Sequence, residues 1–242
     1  MRTHPLRITL LSTLALLAAT WTQAAPGRSA APPVVQPTQA LAGLLTAHKV
    51  FSRPDPLSVP LRRVEGLRPL TLERTTLPVL EARRGADRLQ WLHVRLPGRP
   101  NGSTGWIRER RTVASTTSWH VVVHTAARRL TVYNAGRPVR TVGAIVGKPS
   151  TPTPRGEFFV EEDVQLLRAS DIGGPFAIAL SARSNVFQEF DGGPGQIALH
   201  GLVNVGGVLG TAASHGCVRL DNSMMRWLVL HIGPGVPVTI TG

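Results

Sequence analysis

Glycine and proline interrupt nearly every apolar segment between Leu41 and Asp221, so no long helix has room to form there. The 242-residue chain holds 24 Gly and 20 Pro. What survives between them are short runs such as Leu70-Thr71-Leu72, Leu77-Pro78-Val79-Leu80, Trp91-Leu92-His93-Val94-Arg95-Leu96 and Gly105-Trp106-Ile107. Segments so short satisfy their backbone groups by pairing side by side, and the chain is predicted to be mainly β. From Trp119 onward the pattern repeats. His120 to His124 and Arg129 to Tyr133 read as strands, and Asn134-Ala135-Gly136 reads as the turn into Pro138 to Val142, with Gly supplying a positive φ. Between Ile172 and Gly210 glycine recurs every few residues, which predicts a loop-heavy stretch. Only beyond Asp221 does the spacing turn helical. Met224, Trp227, Leu228 and His231 fall on one face, Asp221 or Asn222 is placed to cap, and Gly233-Pro234-Gly235 is read as the end, followed by a last strand to Ile240.

The ends of the chain set a context. Arg2 and Arg7 precede an apolar Leu/Ala run from Ile8 to Thr20, and Thr22-Gln23-Ala24 offers small residues for cleavage. Residues 1–24 therefore read as a secretory signal, the apolar run being shorter than the roughly 20 residues of a bilayer span. No Cys follows the run, which excludes a lipid-anchored lipoprotein. Residues 25–40 are rich in Pro, Ala and Gln and read as a disordered tether. The rest divides into a small β-barrel at 41–114 and a larger β-rich domain at 118–242. Export predicts a location in the periplasm or cell wall, without stable membrane insertion after cleavage, and a monomer is expected. The net charge of +13, carried mostly by Arg, favours anionic partners such as acidic wall polymers, with Arg53, Arg62, Arg63, Arg83 and Arg84 concentrated in the first domain. Nucleic acid is not expected, because no recognition helix and no basic run interleaved with aromatics is present.

Cys217 is the only cysteine in the chain. It lies in Ser214-His215-Gly216-Cys217-Val218-Arg219-Leu220, with His200-Gly201 upstream. A lone thiol in an exported protein has no internal disulfide partner, so it is inert, intermolecular or chemically used. Because a free thiol is mostly protonated at neutral pH, a working Cys needs a base, and His200 or His215 can supply it. On one strand, His215 and Cys217 would share a face. Gly216 permits a backbone conformation that aims amide N–H groups at a developing oxyanion. No carboxylate lies between His200 and Cys217, so a backbone carbonyl is the candidate for orienting the base. Arg219 offers a planar fork to a substrate carboxylate or to a structural ion pair. Two other readings stay open: a buried inert thiol, and a zinc site from His200, His215 and Cys217, although no HExxH signature is present.

Two resemblances follow. Trp91 through Gly105-Trp106-Ile107 resembles the closing strands of bacterial SH3-like domains. Ile197-Ala198-Leu199-His200-Gly201 with Ser214 through Leu220 resembles the active-site signature of the L,D-transpeptidases (YkuD-like catalytic domain). Thr153-Pro154-Arg155-Gly156-Glu157-Phe158, Gly192 to Gln196 and Gly235-Val236-Pro237-Val238 resemble further segments of that family. This resemblance implies a β-sandwich-like catalytic domain with a short helix after the Cys. It also implies a reaction in which Cys217 attacks the carbonyl before the terminal D-Ala of a peptidoglycan stem tetrapeptide, forming a thioester that a second stem's amine resolves into a 3→3 cross-link. His200 is then the base, the Gly201 carbonyl orients it, His215, Gly216 and the Cys217 N–H form the oxyanion environment, and Ser214 and Arg219 shape and bind. No metal or cofactor is implied, and susceptibility to carbapenems is. Where some members carry a lid Tyr, this chain has Phe187 and Phe190. The alternatives are an L,D-carboxypeptidase or endopeptidase using the same acyl-enzyme, and a non-catalytic wall-binding protein.

Overall fold

The computed structural model describes residues 33–168, 170–189 and 193–242. The signal reading at 1–24 and the first part of the tether lie outside the described residues. The described chain is mainly β, with one short helix late in the sequence.

Seven strands make the first sheet: β1 (Gln39–Leu44), β2 (His48–Phe51), β3 (Pro60–Val64), β4 (Thr76–Arg84), β5 (Gln90–Arg95), β6 (Thr104–Arg108) and β7 (Thr112–Thr117). Their order is β3-β2-β6-β5-β4-β1-β7, and every pair is antiparallel. Alternate residues point inward, as the period of a strand requires. Leu44, Val50, Leu77, Val94 and Ile107 are thereby buried in a small core that also takes in Phe159 from the second sheet.

The second sheet comprises β8 (Trp119–His124), β9 (Arg129–Asn134), β10 (Arg137–Gly143), β12 (Gly156–Gln165), β13 (Phe176–Arg183), β14 (Gln196–His200), β16 (Val218–Arg219) and β17 (Pro237–Thr241), with a minor parallel pair formed by β11 (Val146–Gly147) and β15 (Ala212–Ser214). Its order is β10-β9-β8-β17-β12-β13-β14-β16. Two pairs are parallel, β8 with β17 and β14 with β16. The two ends of the sheet are tied together, since Ile145, just past β10, exchanges both backbone hydrogen bonds with Arg219 on β16 (3.0 and 2.9 Å). At the β9–β10 turn both Ala135 (φ +49°) and Gly136 (φ +75°) are left-handed, the geometry that matches a hairpin's twist.

Helix α1 (Asn222–Val229) packs on β13 and β14 through buried Met224, Met225 and Leu228. Asp221 is the cap, its carboxylate accepting from the Ser223 N–H at 2.8 Å. The helix stops at Val229, earlier than the Gly233-Pro234-Gly235 signal suggests. His231 therefore lies beyond it, stacked on the Trp227 ring at 4.1 Å with Nδ1 donating to the Trp227 carbonyl.

Buried charges join the two sheets. Arg68 and Arg183 both pair with Glu161 on β12, while Glu162 accepts from the Leu70 and Thr71 N–H groups and from the Thr71 hydroxyl. The carboxylates are about 1% exposed, so these partners offset a large desolvation cost.

Candidate active site

The parallel β14–β16 pair builds the site. Leu199 lies opposite Val218, and His200 opposite Arg219. Extending that register by one residue sets Cys217 beside Ala198. Leu199 and Val218 are fully buried on the core side, which leaves Ala198, His200, Cys217 and Arg219 together on the other face.

The shared face that one strand would give His215 and Cys217 does not arise, because residues 215–217 form a turn between two strands. Strand β15 ends at Ser214 because it pairs with β11, whereas β16 begins at Val218 because it pairs with β14. Residues 215–217 bridge the two, and Gly216 takes φ +125°, where a side chain would be strained. Its N–H donates to Ser214 Oγ (3.1 Å), which itself donates to the Cys217 carbonyl (2.5 Å). The Gly216 amide is thus committed inside the turn rather than aimed into the pocket. Thr153 Oγ1 donates to the Gly216 carbonyl at 2.8 Å and accepts the Gly147 N–H at 2.9 Å, and Thr151 Oγ1 donates to the Ser214 carbonyl. The Thr-Pro segment seen in the sequence is therefore a buttress under the cysteine turn.

His200 is held as tightly. Its Nδ1 lies 2.9 Å from the Gly201 carbonyl. A carbonyl only accepts, so Nδ1 carries the proton and Nε2 keeps its lone pair. A Cβ at Gly173 would stand 2.3 Å from Nδ1, and one at Gly201 would stand 2.1 Å from the Gly174 carbonyl oxygen. Only glycine lets the backbone cover the imidazole so closely. The Gly201 N–H donates to the Gly173 carbonyl (2.6 Å), the Leu202 N–H to Asn222 Oδ1 (2.8 Å) and the Leu220 N–H to the His200 carbonyl (2.9 Å).

Burial lowers the His200 pKa, opposed by the bond to Gly201 and reinforced by the Arg219 charge. Burial raises the Cys217 pKa, opposed by the Ala198 N–H and by Arg219. Both shifts favour the neutral imidazole and the neutral thiol, with a donor and a cation in place to support a thiolate as it forms. Arg219 Nε is buried and finds no hydrogen-bond partner among the described residues.

These groups open on a cavity of about 540 Å³, lined by His200, Ser214, His215, Cys217 and Arg219 with Ile172, Ser184, Phe187, Ile197 and Val205 as walls. Gly201 acts on the site through its carbonyl at His200 Nδ1, and Gly216 through the turn that precedes Cys217. His215 faces Lys148, whose Nζ donates to Nε2 at 3.5 Å, and the edge of Phe187 at 6.2 Å. Phe190 lies outside the described residues. No three His, Cys, Asp or Glu side chains gather as a ligand set among the described residues. Sequence reasoning missed Gly173 and Ala198. The recurrence of glycine was the available signal for the first, but a backbone donor such as Ala198 leaves none.

A cysteine and a carbonyl-oriented histidine on one face of a parallel strand pair are the parts of a nucleophile and its base, and the family match makes the protein a cysteine-dependent transpeptidase. Residues 118–240 match the family model of the L,D-transpeptidase catalytic domain, and the chain belongs to that family. It is similar to the YkuD protein of Bacillus licheniformis, 32% identical over 126 residues (52% of this chain, 67% of the relative). It is also similar to L,D-transpeptidase 1 of Mycobacterium tuberculosis, 29% identical over 132 residues (50% of this chain, 49% of the relative). Among solved structures it resembles an L,D-transpeptidase from Mycobacterium smegmatis at 20% identity and a TM-score of 0.39, over 63% of this chain and 90% of that one.

Proposed function

We propose that the protein is an exported peptidoglycan L,D-transpeptidase that forms 3→3 cross-links through a Cys217 thioester. As Sγ bonds to the carbonyl preceding the terminal D-Ala of a stem tetrapeptide, its proton passes to His200 Nε2. Collapse of the tetrahedral adduct breaks the C–N bond, and His200 returns the proton to the departing D-Ala amine. The side-chain amine of a second stem then attacks the thioester, its proton leaves by way of His200, and the thiol is regenerated. One amide is exchanged for another, so the reaction needs no external energy source.

With the Gly216 N–H engaged by Ser214, the oxyanion falls to the Cys217 N–H and to His215, held in place by Lys148 and Phe187. Arg219, with its uncommitted Nε, takes a substrate carboxylate. The peptide lies along the apolar walls, which exclude water and favour an amine acceptor over hydrolysis.

The observation that carries this reading is the half-buried His200, bonded through Nδ1 to Gly201, on the same strand-pair face as a half-buried Cys217. Intact-protein mass spectrometry with a carbapenem, whose strained amide is an acyl donor, tests it beside assays on stem tetrapeptide with and without an amine acceptor. An adduct that requires Cys217, release of D-Ala and a dimeric peptide product are expected. D-Ala release from Cys217→Ala would remove the nucleophile, and release with no dimer in the presence of acceptor would make the enzyme a carboxypeptidase.

A further inference from the structure

The turn between β5 and β6 belongs to the first sheet, yet its side chains end on the wall of the catalytic pocket. Arg99 is half-buried there and donates to three carbonyls. Its two terminal nitrogens reach Pro194 O at 2.9 Å, and Ser184 O and Phe187 O at 2.8 Å each. Asn101, two residues on, brackets Arg183: Oδ1 accepts the Arg183 N–H (2.8 Å) and Nδ2 donates to the Arg183 carbonyl (2.7 Å) and to Asn185 Oδ1 (3.1 Å). The Gly98 N–H donates to the Ser181 carbonyl at 3.1 Å. The turn is itself held in shape, since Arg62 donates to the Arg99 carbonyl and to Ser103 Oγ.

The residues so gripped are pocket residues. Ser184, Phe187 and Gly195 all line the cavity. Gly195 sits inside the grip, where an added Cβ would lie 2.2 Å from the Phe187 carbonyl oxygen and 3.3 Å from the Arg99 guanidinium. The Phe187 ring in turn meets His215 edge-on. Carbonyls that converge from three points of one segment repel one another unless a donor stands between them, and a planar guanidinium supplies several donors in a rigid fork. Among the described residues the groups that Arg99 grips are backbone carbonyls, so the fork acts on the shape of the backbone.

The geometry points to Arg99, assisted by Asn101, as a positioning residue that sets the substrate-facing wall formed by Ser184, Phe187 and Gly195. Arg99 touches neither Cys217 nor His200 and acts through that wall. The first sheet is on this account a working part of the donor site and not only a spacer or wall anchor. The inference rests on the L,D-transpeptidase reading for its substrate, a stem tetrapeptide, but not for its structural consequence.

The test compares wild type, Arg99→Ala, Arg99→Lys and Asn101→Ala in the full mature chain. For Arg99→Ala, kcat/KM for D-Ala release from stem tetrapeptide is expected to fall about tenfold or more, mainly through KM, because a displaced wall misplaces substrate. Alkylation of Cys217 by iodoacetamide should stay within twofold of wild type, since the thiol and His200 are untouched. Arg99→Lys keeps the charge without the fork and should remain impaired, and Asn101→Ala should show a smaller loss of the same kind. Hydrogen exchange at the Ser184 and Phe187 amides should quicken about tenfold in Arg99→Ala, with the β14 amides unchanged. A kcat/KM within twofold of wild type would overturn the proposal. So would turnover and alkylation falling together, which marks general loosening, or full rescue by Lys. If wild type itself released no D-Ala, the functional reading would fail, and unchanged exchange at Ser184 and Phe187 would then refute the grip independently.

Discussion

The first sheet is wholly antiparallel, whereas the second contains two parallel pairs, and the chemistry follows that difference. An antiparallel neighbour is reached through a short turn, but a parallel neighbour requires the chain to cross back over a long connection. Between His200 at the end of β14 and Val218 at the start of β16, that connection carries Gly201, Ser214, His215, Gly216 and Cys217. Its residues occupy unusual conformations, with positive φ at Asn204, Gly206, Gly207, Gly210 and Gly216. The hairpins of the first sheet leave no comparable length of chain to shape, and what they contribute is the Arg99 grip on their neighbour. A fold of this kind concentrates catalysis where its topology forces a detour.

The sharpest break between the regions should come from Cys217→Ala, which is expected to reduce D-Ala release on the order of 10³-fold or more. Arg83→Ala, on the exposed face of β4, should leave it within twofold; an equal loss in both would dissolve the contrast. Next, His200→Asn should lower kcat/KM by about 10²- to 10⁴-fold, the range of general-base catalysis. In the wild type, turnover should persist as pH falls somewhat below about 6.5, because burial depresses the His200 pKa and keeps the base unprotonated there. Iodoacetamide alkylation, which reads the thiolate, should instead reach its midpoint above the ordinary thiol value of about 8.5. Coincident profiles would mean that one group controls both.

Gly173→Ala should cost about 10²-fold in kcat, since its methyl falls within 2.3 Å of His200 Nδ1 and must displace the imidazole. Kinetics on a correctly folded variant, checked by circular dichroism, would decide whether the backbone cover or the ring yields. Thr153→Val removes the hydroxyl that holds the Gly216 carbonyl and the Gly147 N–H, and should destabilise by about 1–3 kcal/mol in denaturant unfolding. The smallest effect lies between the sheets. Asp163 on β12 is half-buried near Glu73, its Oδ1 is inaccessible and unpaired among the described residues, and its pKa is raised to about 7, chiefly by desolvation. A carboxyl whose folded pKa exceeds its unfolded value favours the fold while protonated. Its contribution is present below about 4 and is lost as pH rises towards 7. Asp163→Asn should remove that dependence, so that its thermal midpoint gains a few degrees on wild type between pH 4 and 7.5. A constant difference across that range would remove Asp163 as the titrating group.

Much of this was legible along the chain. The β character followed from glycine and proline spacing and the cap at Asp221 or Asn222 from polar residues before an apolar stripe, while the residues alone left open whether His200 or His215 serves Cys217. The local reading failed where partners overrode propensity. His215-Gly216-Cys217 is a turn because the strands on either side of it pair with different neighbours, and α1 stops at Val229 before its strongest breaker. Residues that act through backbone atoms left no trace, as with the Ala198 N–H against Cys217.

By itself, then, the sequence determined which elements form and which side chains can do the chemistry, because periodicity, turn chemistry and side-chain reactivity are local properties. Only the tertiary structure decided that Glu161 is buried between Arg68 and Arg183, that Gly173 covers His200, and that Arg99 holds three carbonyls of the pocket wall some 85 to 95 residues away. Those partnerships depend on which strands lie side by side, a choice made by the burial of whole sheets and invisible to any single segment.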